Sequence, residues 1–298
     1  MWTNLLQQIQ QGDQRAIARG ISLIENEVPG FEGFLSSLPT AHCPVIGITG
    51  PPGAGKSTLV DALLKEITQQ GKKVAVLCVD PSSPFNLGAL LGDRIRMSEW
   101  YNDPQVFIRS LATRGSLGGL HPKIIEITEF LKAACFDLII VETVGVGQSE
   151  IEVAGLADTT IVVLVPEAGD EVQTMKAGLM EIADIFVVNK SDRPEAGLFL
   201  KNLRSMLAPA FHHKQKEIPV LATVASQNKG IPELWEAIVA DTDHAGFSDR
   251  KLWLQTERAW QLIQQKRMRD ISKTGLREQI KNRMEKGSFN LYEFVSKQ

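Results

Sequence analysis

Pro44-Val45-Ile46-Gly47-Ile48-Thr49-Gly50-Pro51-Pro52-Gly53-Ala54-Gly55-Lys56-Ser57-Thr58-Leu59-Val60-Asp61-Ala62-Leu63-Leu64-Lys65 is the stretch on which the fold turns. Its first six residues are an apolar run of strand type, and its last eight carry a helical pattern. Between them, Gly50 to Ser57 matches the phosphate loop G-x-x-x-x-G-K-[ST]. In such a loop the glycines let successive N–H groups turn towards anionic oxygens, and the following helix aims its positive end at them. Lys56 is expected to reach the β- and γ-phosphates, and the Ser57 hydroxyl to ligate Mg²⁺. A glycine-rich turn without a ligand is the alternative, and the flanking strand and helix argue against it.

Outward from this stretch the same alternation continues. Apolar runs recur at Val74–Val79, Val106–Ile108, Leu138–Val141, Thr160–Val165, Ile185–Val188 and Val220–Thr223, separated by helical patterns. Continuous apolar strands alternating with helices predict an α/β fold with a largely parallel sheet covered on both faces.

The run Ala183 to Val188 is followed by Asn189-Lys190-Ser191-Asp192, which matches N-K-x-D. At a strand's C-terminal end, where open α/β sheets bind ligands, this reads as a guanine selector. The Asp192 carboxylate can accept from N1–H and the exocyclic N2–H₂, a donor pair that adenine lacks. The pattern has only three fixed residues, so a polar turn is the alternative. With the phosphate loop, it predicts GTP rather than ATP.

Acids complete the expected constellation. Leu138-Ile139-Ile140-Val141-Glu142 ends a strand in an acid, and Gly145 follows three residues on, where GTPases carry D-x-x-G. The Gly145 amide is expected to sense the γ-phosphate and Glu142 to support Mg²⁺ or a bound water. Asp80 ends another strand, and Asp93 lies in Gly92-Asp93-Arg94-Ile95-Arg96-Met97. Acids beside a triphosphate repel it unless they face the metal or its waters, so both are assigned to the Mg²⁺ environment, with turn chemistry as the alternative. Val146 stands where many small GTPases have the glutamine that orients water, and Gln148 comes two residues after it. Hydrolysis is therefore expected to be slow without a partner.

The chain of 298 residues has a formal charge of −3 with mixed signs, which makes no case for nucleic acid or a membrane surface. The start, Met1-Trp2-Thr3-Asn4-Leu5-Leu6-Gln7-Gln8, lacks a basic leader, and no run reaches spanning length, so a cytoplasmic protein is expected. Cys43, Cys78 and Cys135 read as buried structural thiols.

Three segments are expected. Residues 1–43 are helical, with Asp13 as N-cap, the stripe Ile17, Ile21, Ile24 and Val28, and a stop at Pro29-Gly30. Residues 44–245 hold the nucleotide-binding sheet. Residues 246–298 are helical, with Trp253, Trp260 and Ile263, then an interruption at Ser272-Lys273-Thr274-Gly275, then Leu276, Ile280 and Met284 up to Gly287. This last segment reads either as a tail on its own domain or as an arm that pairs two chains.

GPPGAGKST (50–58), VDPSSP (79–84), GDRIRM (92–97), VETVGVGQSE (141–150), GDEVQTMKAG (169–178) and EIADIFVVNKSD (181–192) together resemble the methylmalonyl-CoA mutase-associated GTPases of the MeaB/ArgK type. The resemblance covers nearly the whole chain. It implies a P-loop GTPase that acts as a dimeric chaperone of an adenosylcobalamin-dependent acyl-CoA mutase, gating cofactor loading and protecting the mutase. Carried over by position, Lys56 and Ser57 match the phosphate-loop lysine and metal serine, and Asp80, Asp93 and Glu142 the acids around Mg²⁺. Asn189, Lys190 and Asp192 match the base reader, and Val224-Ala225-Ser226 the last base-contacting loop, with its serine displaced. Gly169 to Gly178, with Asp170, Glu171 and Lys176, matches a loop that communicates with the mutase. A metal-insertion GTPase for a nickel enzyme is the alternative; it predicts a histidine-rich tail or a C-x-x-C, whereas the sequence offers His212-His213. A scaffold that binds GTP without turnover is a third reading.

Overall fold

The computed structural model describes residues 1–80, 97–113, 120–143, 145, 149–168, 177–211, 218–243, 249–287 and 289–297. Asp93, Val146, Gln148, Gly169 to Lys176 and His212-His213 lie outside the described residues. The chain divides into two compact units, Met1–Ser248 and Asp249–Gln298.

The first unit is built on seven parallel strands: β1 (Val45–Thr49), β2 (Val74–Asp80), β3 (Val106–Ala112), β4 (Leu138–Glu142), β5 (Thr159–Leu164), β6 (Ile185–Val188) and β7 (Val220–Ala222). Their order is β3-β2-β4-β1-β5-β6-β7. The chain runs outwards from β1 to β3, returns through β4, then crosses β1 to continue through β5, β6 and β7. All C-terminal strand ends share one edge, and the central β1 lies where the winding direction reverses, the place where such sheets bind ligands.

Each apolar run became a strand because both sheet faces are covered. On one face Ile46, Ile48, Val76, Ile140, Ile161 and Val163 pack with Leu59, Leu63 and Ile67 of α4 (Lys56–Gln69) and with Leu234 and Ile238 of the helix Ile231–Asp243. On the other, Val162, Leu164, Phe186 and Val188 meet Phe199, Leu203 and Leu207 of the helix Ala196–Phe211. Each such side chain contributes about 1.5–3 kcal/mol by leaving water. Gly47 lets the helix Ser149–Leu156 approach β1: a Cβ there would lie 2.8 Å from a Val153 methyl and 2.9 Å from Ala157.

β3 is longer than its three-residue apolar run predicts. Pairing with β2 continues from Val74↔Val106 to Asp80↔Ala112. The polar Arg109 is accommodated because its guanidinium pairs with Glu25 at 2.7 Å and donates to the Ser22 hydroxyl at 3.1 Å. Those partners belong to the N-terminal helices, so the sequence of β3 alone cannot reveal them.

The N-terminal segment folds as α1 (Trp2–Gln10), α2 (Gln14–Glu25) and α3 (Phe31–Ser36), inside the same compact unit as the sheet. Asp13 caps α2 as the sequence predicts, accepting from the amides of Arg15 at 2.9 Å and Ala16 at 3.1 Å. Ile17, Ile21 and Ile24 are buried, while Val28, beyond the end of α2, is half-buried. The partner surface includes the helix Ile124–Lys132, whose Phe130 lies against Gly20. A Cβ on Gly20 would drive into the Phe130 ring, which is fully buried. Gly20→Ala should therefore destabilise the protein by about 1 kcal/mol. Overpacking costs roughly 1–3 kcal/mol and the helix-propensity gain returns up to about 1 kcal/mol. Urea unfolding tests this, and a more stable variant would contradict the packing.

Cys43 and Cys78 are buried, and burial, chiefly, pushes the Cys43 thiol up to about 12. Cys135 is only half-buried, because it follows its helix and lies near Gly12 at the turn into α2. This corrects the expectation that all three are buried.

The second unit holds the helices Asp249–Arg267, Lys273–Glu285 and Leu291–Val295. Ser272 is the N-cap of the second, accepting from the Gly275 amide at 2.9 Å. Thr274 and Gly275 thus lie inside its first turn, and the interruption falls earlier, between Arg267 and Lys273. The cap explains the shift, since a serine oxygen satisfies a first-turn donor. Trp253, Trp260 and Ile263 are exposed on the long helix.

Candidate functional site

The phosphate loop leaves β1 at Gly50, with φ of 141°. A Cβ there would drive into the Val163 carbonyl oxygen of β5, so only glycine allows this exit from the sheet. Gly55, with φ of 88°, is the N-cap of α4 and offers no side chain to its first turn. The uncapped N-terminal amides of α4 are therefore the polar groups that an anion would satisfy.

Lys56 is 6% exposed and its ammonium donates to the carbonyls of Gly50 at 2.8 Å and Pro51 at 3.0 Å. Gly145, with φ of 82°, comes over the same point: a Cβ there would lie 2.5 Å from the Lys56 ammonium. Gly145, which the sequence reading assigns to the γ-phosphate, thus lies beside the loop that carries Lys56.

The acids converge through strand register. Cys78 of β2 and Ile48 of β1 both pair with Glu142 of β4, and Asp80 stands two residues beyond Cys78. The Ser57 hydroxyl donates to Glu142 Oε1 at 2.7 Å. Glu142 thus reaches the serine directly. Asp80 and Glu142 are 8% and 6% exposed and line, with Lys56, Ser57, Thr143 and Lys190, a cavity of about 430 Å³. Carboxylate and hydroxyl oxygens suit Mg²⁺, which typically takes one or two carboxylates and keeps waters and phosphate oxygens for the rest. Among the described residues no group of three or more His, Cys, Asp or Glu that could hold a metal ion is present.

A second cavity of about 260 Å³ adjoins the first through Gly55, Thr58 and Lys190. Asn189, Asp192, Arg193, Val224, Ala225 and Ser226 complete its wall. The structure therefore gathers the predicted base-reading residues, distant in sequence, around one space next to the phosphate loop.

Their hydrogen bonds divide the labour. Asn189 is 2% exposed; its Nδ2 donates to the Ala54 carbonyl at 3.0 Å, and its Oδ1 accepts from the Thr223 hydroxyl at 3.2 Å and the Ala225 amide at 3.1 Å. It is a strut between the phosphate loop and the loop after β7. The Ala225 amide, in the loop matched to the last base contact, is bonded to this strut. Lys190 takes a left-handed φ of 56° and its ammonium donates to the Gly53 carbonyl at 2.7 Å. Asp192 stays exposed at the cavity wall.

Sequence reasoning missed Thr223, whose only signal is its place before Val224-Ala225-Ser226. It also missed Arg193, which directly follows Asp192, and Glu167, with which Arg193 forms an ion pair. No sequence pattern links the last two, because they meet only when β5 and β6 lie side by side.

Comparison with known proteins agrees with this geometry. The family model described as methylmalonyl Co-A mutase-associated GTPase MeaB matches residues 17–282. A putative GTPase of Pyrococcus abyssi is 48% identical over 266 residues, 87% of this chain and 80% of that protein. The GTPase ArgK of Escherichia coli is 37% identical over 245 residues, covering 78% of this chain and 74% of that one. A crystal structure of a LAO/AO transport system kinase superimposes with a TM-score of 0.68 at 29% identity, covering 94% of this chain and 85% of the other. With the loop Gly50–Ser57, a part-buried Ser57–Glu142 hydrogen bond and two adjoining cavities on one parallel sheet, and with that match over most of its length, the chain belongs to the methylmalonyl Co-A mutase-associated GTPase MeaB family.

Proposed function

We propose that this GTPase binds Mg²⁺–GTP across the two adjoining cavities, hydrolyses it slowly alone, and acts as a homodimeric chaperone of an adenosylcobalamin-dependent acyl-CoA mutase. The observation that carries the nucleotide reading is the Asn189 strut, which ties the loop suited to phosphates to the loop suited to a purine. The mutase is proposed from the family's description, and methylmalonyl-CoA mutase is the first client to test.

In this reading Lys56 and the first amides of α4 hold the β- and γ-phosphates, and Asp192 accepts from guanine. Ser57, Glu142 and Asp80 are the residues for Mg²⁺, with Asp93 assigned from sequence alone. A magnesium ion held there supplies charge neutralisation for the transferred phosphoryl group. The chain's own contribution is positioning: Lys56 fixes a positive charge, and the Gly145 amide, packed over the phosphate loop, senses whether the γ-phosphate is present. The mutase would read that difference through unequal affinity for the two states, with residues 169–178 as the proposed contact.

The homodimer is supported by Trp253, Trp260 and Ile263, 54%, 57% and 46% exposed on one helix of the second unit. Large apolar side chains exposed together mark interaction surfaces. Among the described residues no helix is long and apolar enough to cross a membrane.

Phosphate release measured with and without the mutase tests the proposal. A partner that completes a GTPase site raises turnover by up to about 10³–10⁵-fold, so stimulation of at least about tenfold is expected. Equal rates with and without every acyl-CoA mutase tried would reject the chaperone role and leave the GTPase intact.

A further inference from the structure

β3 is an edge strand, with β2 as its neighbour in the sheet. The pairing is fixed at both ends: the Val74 amide donates to the Gln105 carbonyl at 2.8 Å, and the Thr113 amide to the Asp80 carbonyl at 3.0 Å. Successive strand residues turn their N–H and C=O groups to opposite sides. The odd-numbered residues therefore serve β2, while Val106, Ile108 and Ser110 turn theirs away from the sheet. Val106 is satisfied, since its amide donates to the Asp103 carbonyl at 3.2 Å and its carbonyl accepts from Gln14 Nε2 at 3.2 Å. The amides and carbonyls of Ile108 and Ser110 have no hydrogen-bond partner among the described residues. Such an edge is a template for another strand.

A cavity of about 240 Å³ lies at this edge, lined by Gln14, Arg15 and Ala18 of α2, by Trp100 and Tyr101, and by Val106, Phe107 and Ile108. Val106 and Ile108 point to one face of the sheet and Phe107 to the other, so a space that all three line is at the rim. Its two walls belong to opposite faces. Arg109 reaches Ser22 and Glu25 of α2 on one face, and Val106 packs with Trp100 in the core on the other. The α2 wall carries cations. Arg15 and Arg19, one turn apart, are exposed and have no ion-pair partner among the described residues. Nearby acids are engaged elsewhere: Asp13 with the amides of Arg15 and Ala16, Asp103 with the Gln105 amide, and Glu99 with Lys65.

We propose that the outer edge of β3 docks an extended segment of a partner protein as an eighth strand, its acidic side chains towards Arg15 and Arg19 and its apolar ones towards Trp100 and Tyr101. Main-chain bonds to Ile108 and Ser110 supply the register, and alternation of side chains across the two walls supplies the selectivity. A second copy of this chain fits less well, because it brings the same arginines where acceptors are needed. The proposal is independent of the nucleotide reading.

The probe is a capped octapeptide of alternating glutamate and valine, with its lysine–valine counterpart as control, titrated into the full-length protein. In the free protein the amides of Ile108 and Ser110 should exchange with solvent faster than those of Phe107 and Arg109, which face β2. Saturating acidic peptide should slow both by at least about tenfold, and the basic peptide should not. R15E/R19E should bind the acidic peptide about tenfold more weakly and accept the basic one. S110P removes an outward N–H, a change that edge strands tolerate, and should weaken binding about fivefold. R15E/R19E alters only exposed positions and carries the test even if S110P fails to fold. Absence of binding, binding that leaves the Ile108 and Ser110 amides unprotected, or equal binding by R15E/R19E overturns the proposal. Protection that appears on raising the protein concentration alone gives the edge to a second copy and overturns it too.

Discussion

Lys56→Ala is expected to lower GTP turnover by about 10²–10³-fold, the loss typical when one preorganised donor to a developing anion is removed. Lys56 is 6% exposed as a residue, and its ammonium is anchored to the carbonyls of Gly50 and Pro51. It is thus fixed at the start of α4, where phosphate oxygens would meet the helix amides. No other cation among the described residues lines the phosphate cavity except Lys190, whose ammonium is bonded to Gly53. Arginine is not expected to rescue, because its longer planar fork cannot take the place of a compact ammonium in this cradle. The variant also loses two internal hydrogen bonds, so the melting temperature must be measured alongside phosphate release. A folded variant that hydrolyses GTP at the wild-type rate would remove Lys56 from the site.

Asp192→Asn should exchange the nucleotide preference. In the proposed base site a carboxylate can accept two hydrogen bonds from guanine, whereas the amide offers one acceptor and one donor group. One bond is lost and a donor faces a donor. At about 1–3 kcal/mol for each unsatisfied group, GTP affinity should fall on the order of 10²–10⁴-fold. Xanthine carries a carbonyl oxygen at position 2 where guanine carries an amine, so the new amide can donate to it, and xanthosine triphosphate should bind more tightly than GTP. Asp192 is exposed at the cavity wall, so the substitution should leave folding unchanged. Calorimetry with both nucleotides decides the matter. A variant that keeps wild-type GTP affinity and gains nothing for the xanthine nucleotide would dissociate Asp192 from the base.

The sheet was legible in the sequence because parallel strands buried on both faces must be continuously apolar. Val45–Thr49, Val74–Val79 and Ile185–Val188 announced themselves in this way, and Asp13 announced the start of α2. The phosphate loop was equally legible, since its glycines answer local backbone demands at Gly50, Gly53 and Gly55. Legibility failed where a residue's partner is remote. Arg109 hid the second half of β3 because Glu25 lies on another element. The break before Lys273 was misplaced because a cap at Ser272 outweighs a glycine in the first turn.

What a short run of neighbours encodes was therefore determined by the sequence alone: a parallel α/β sheet, the glycine-rich loop at the end of β1, and the family to which the chain belongs. Tertiary structure alone decided that Glu142 touches Ser57, that Asn189 braces two loops instead of standing free, and that Arg193 pairs with Glu167. The physical reason is one of range. Backbone conformation and burial periodicity act over a few residues, whereas a hydrogen bond between side chains on different strands exists only after the register of the sheet has brought them within about 3 Å.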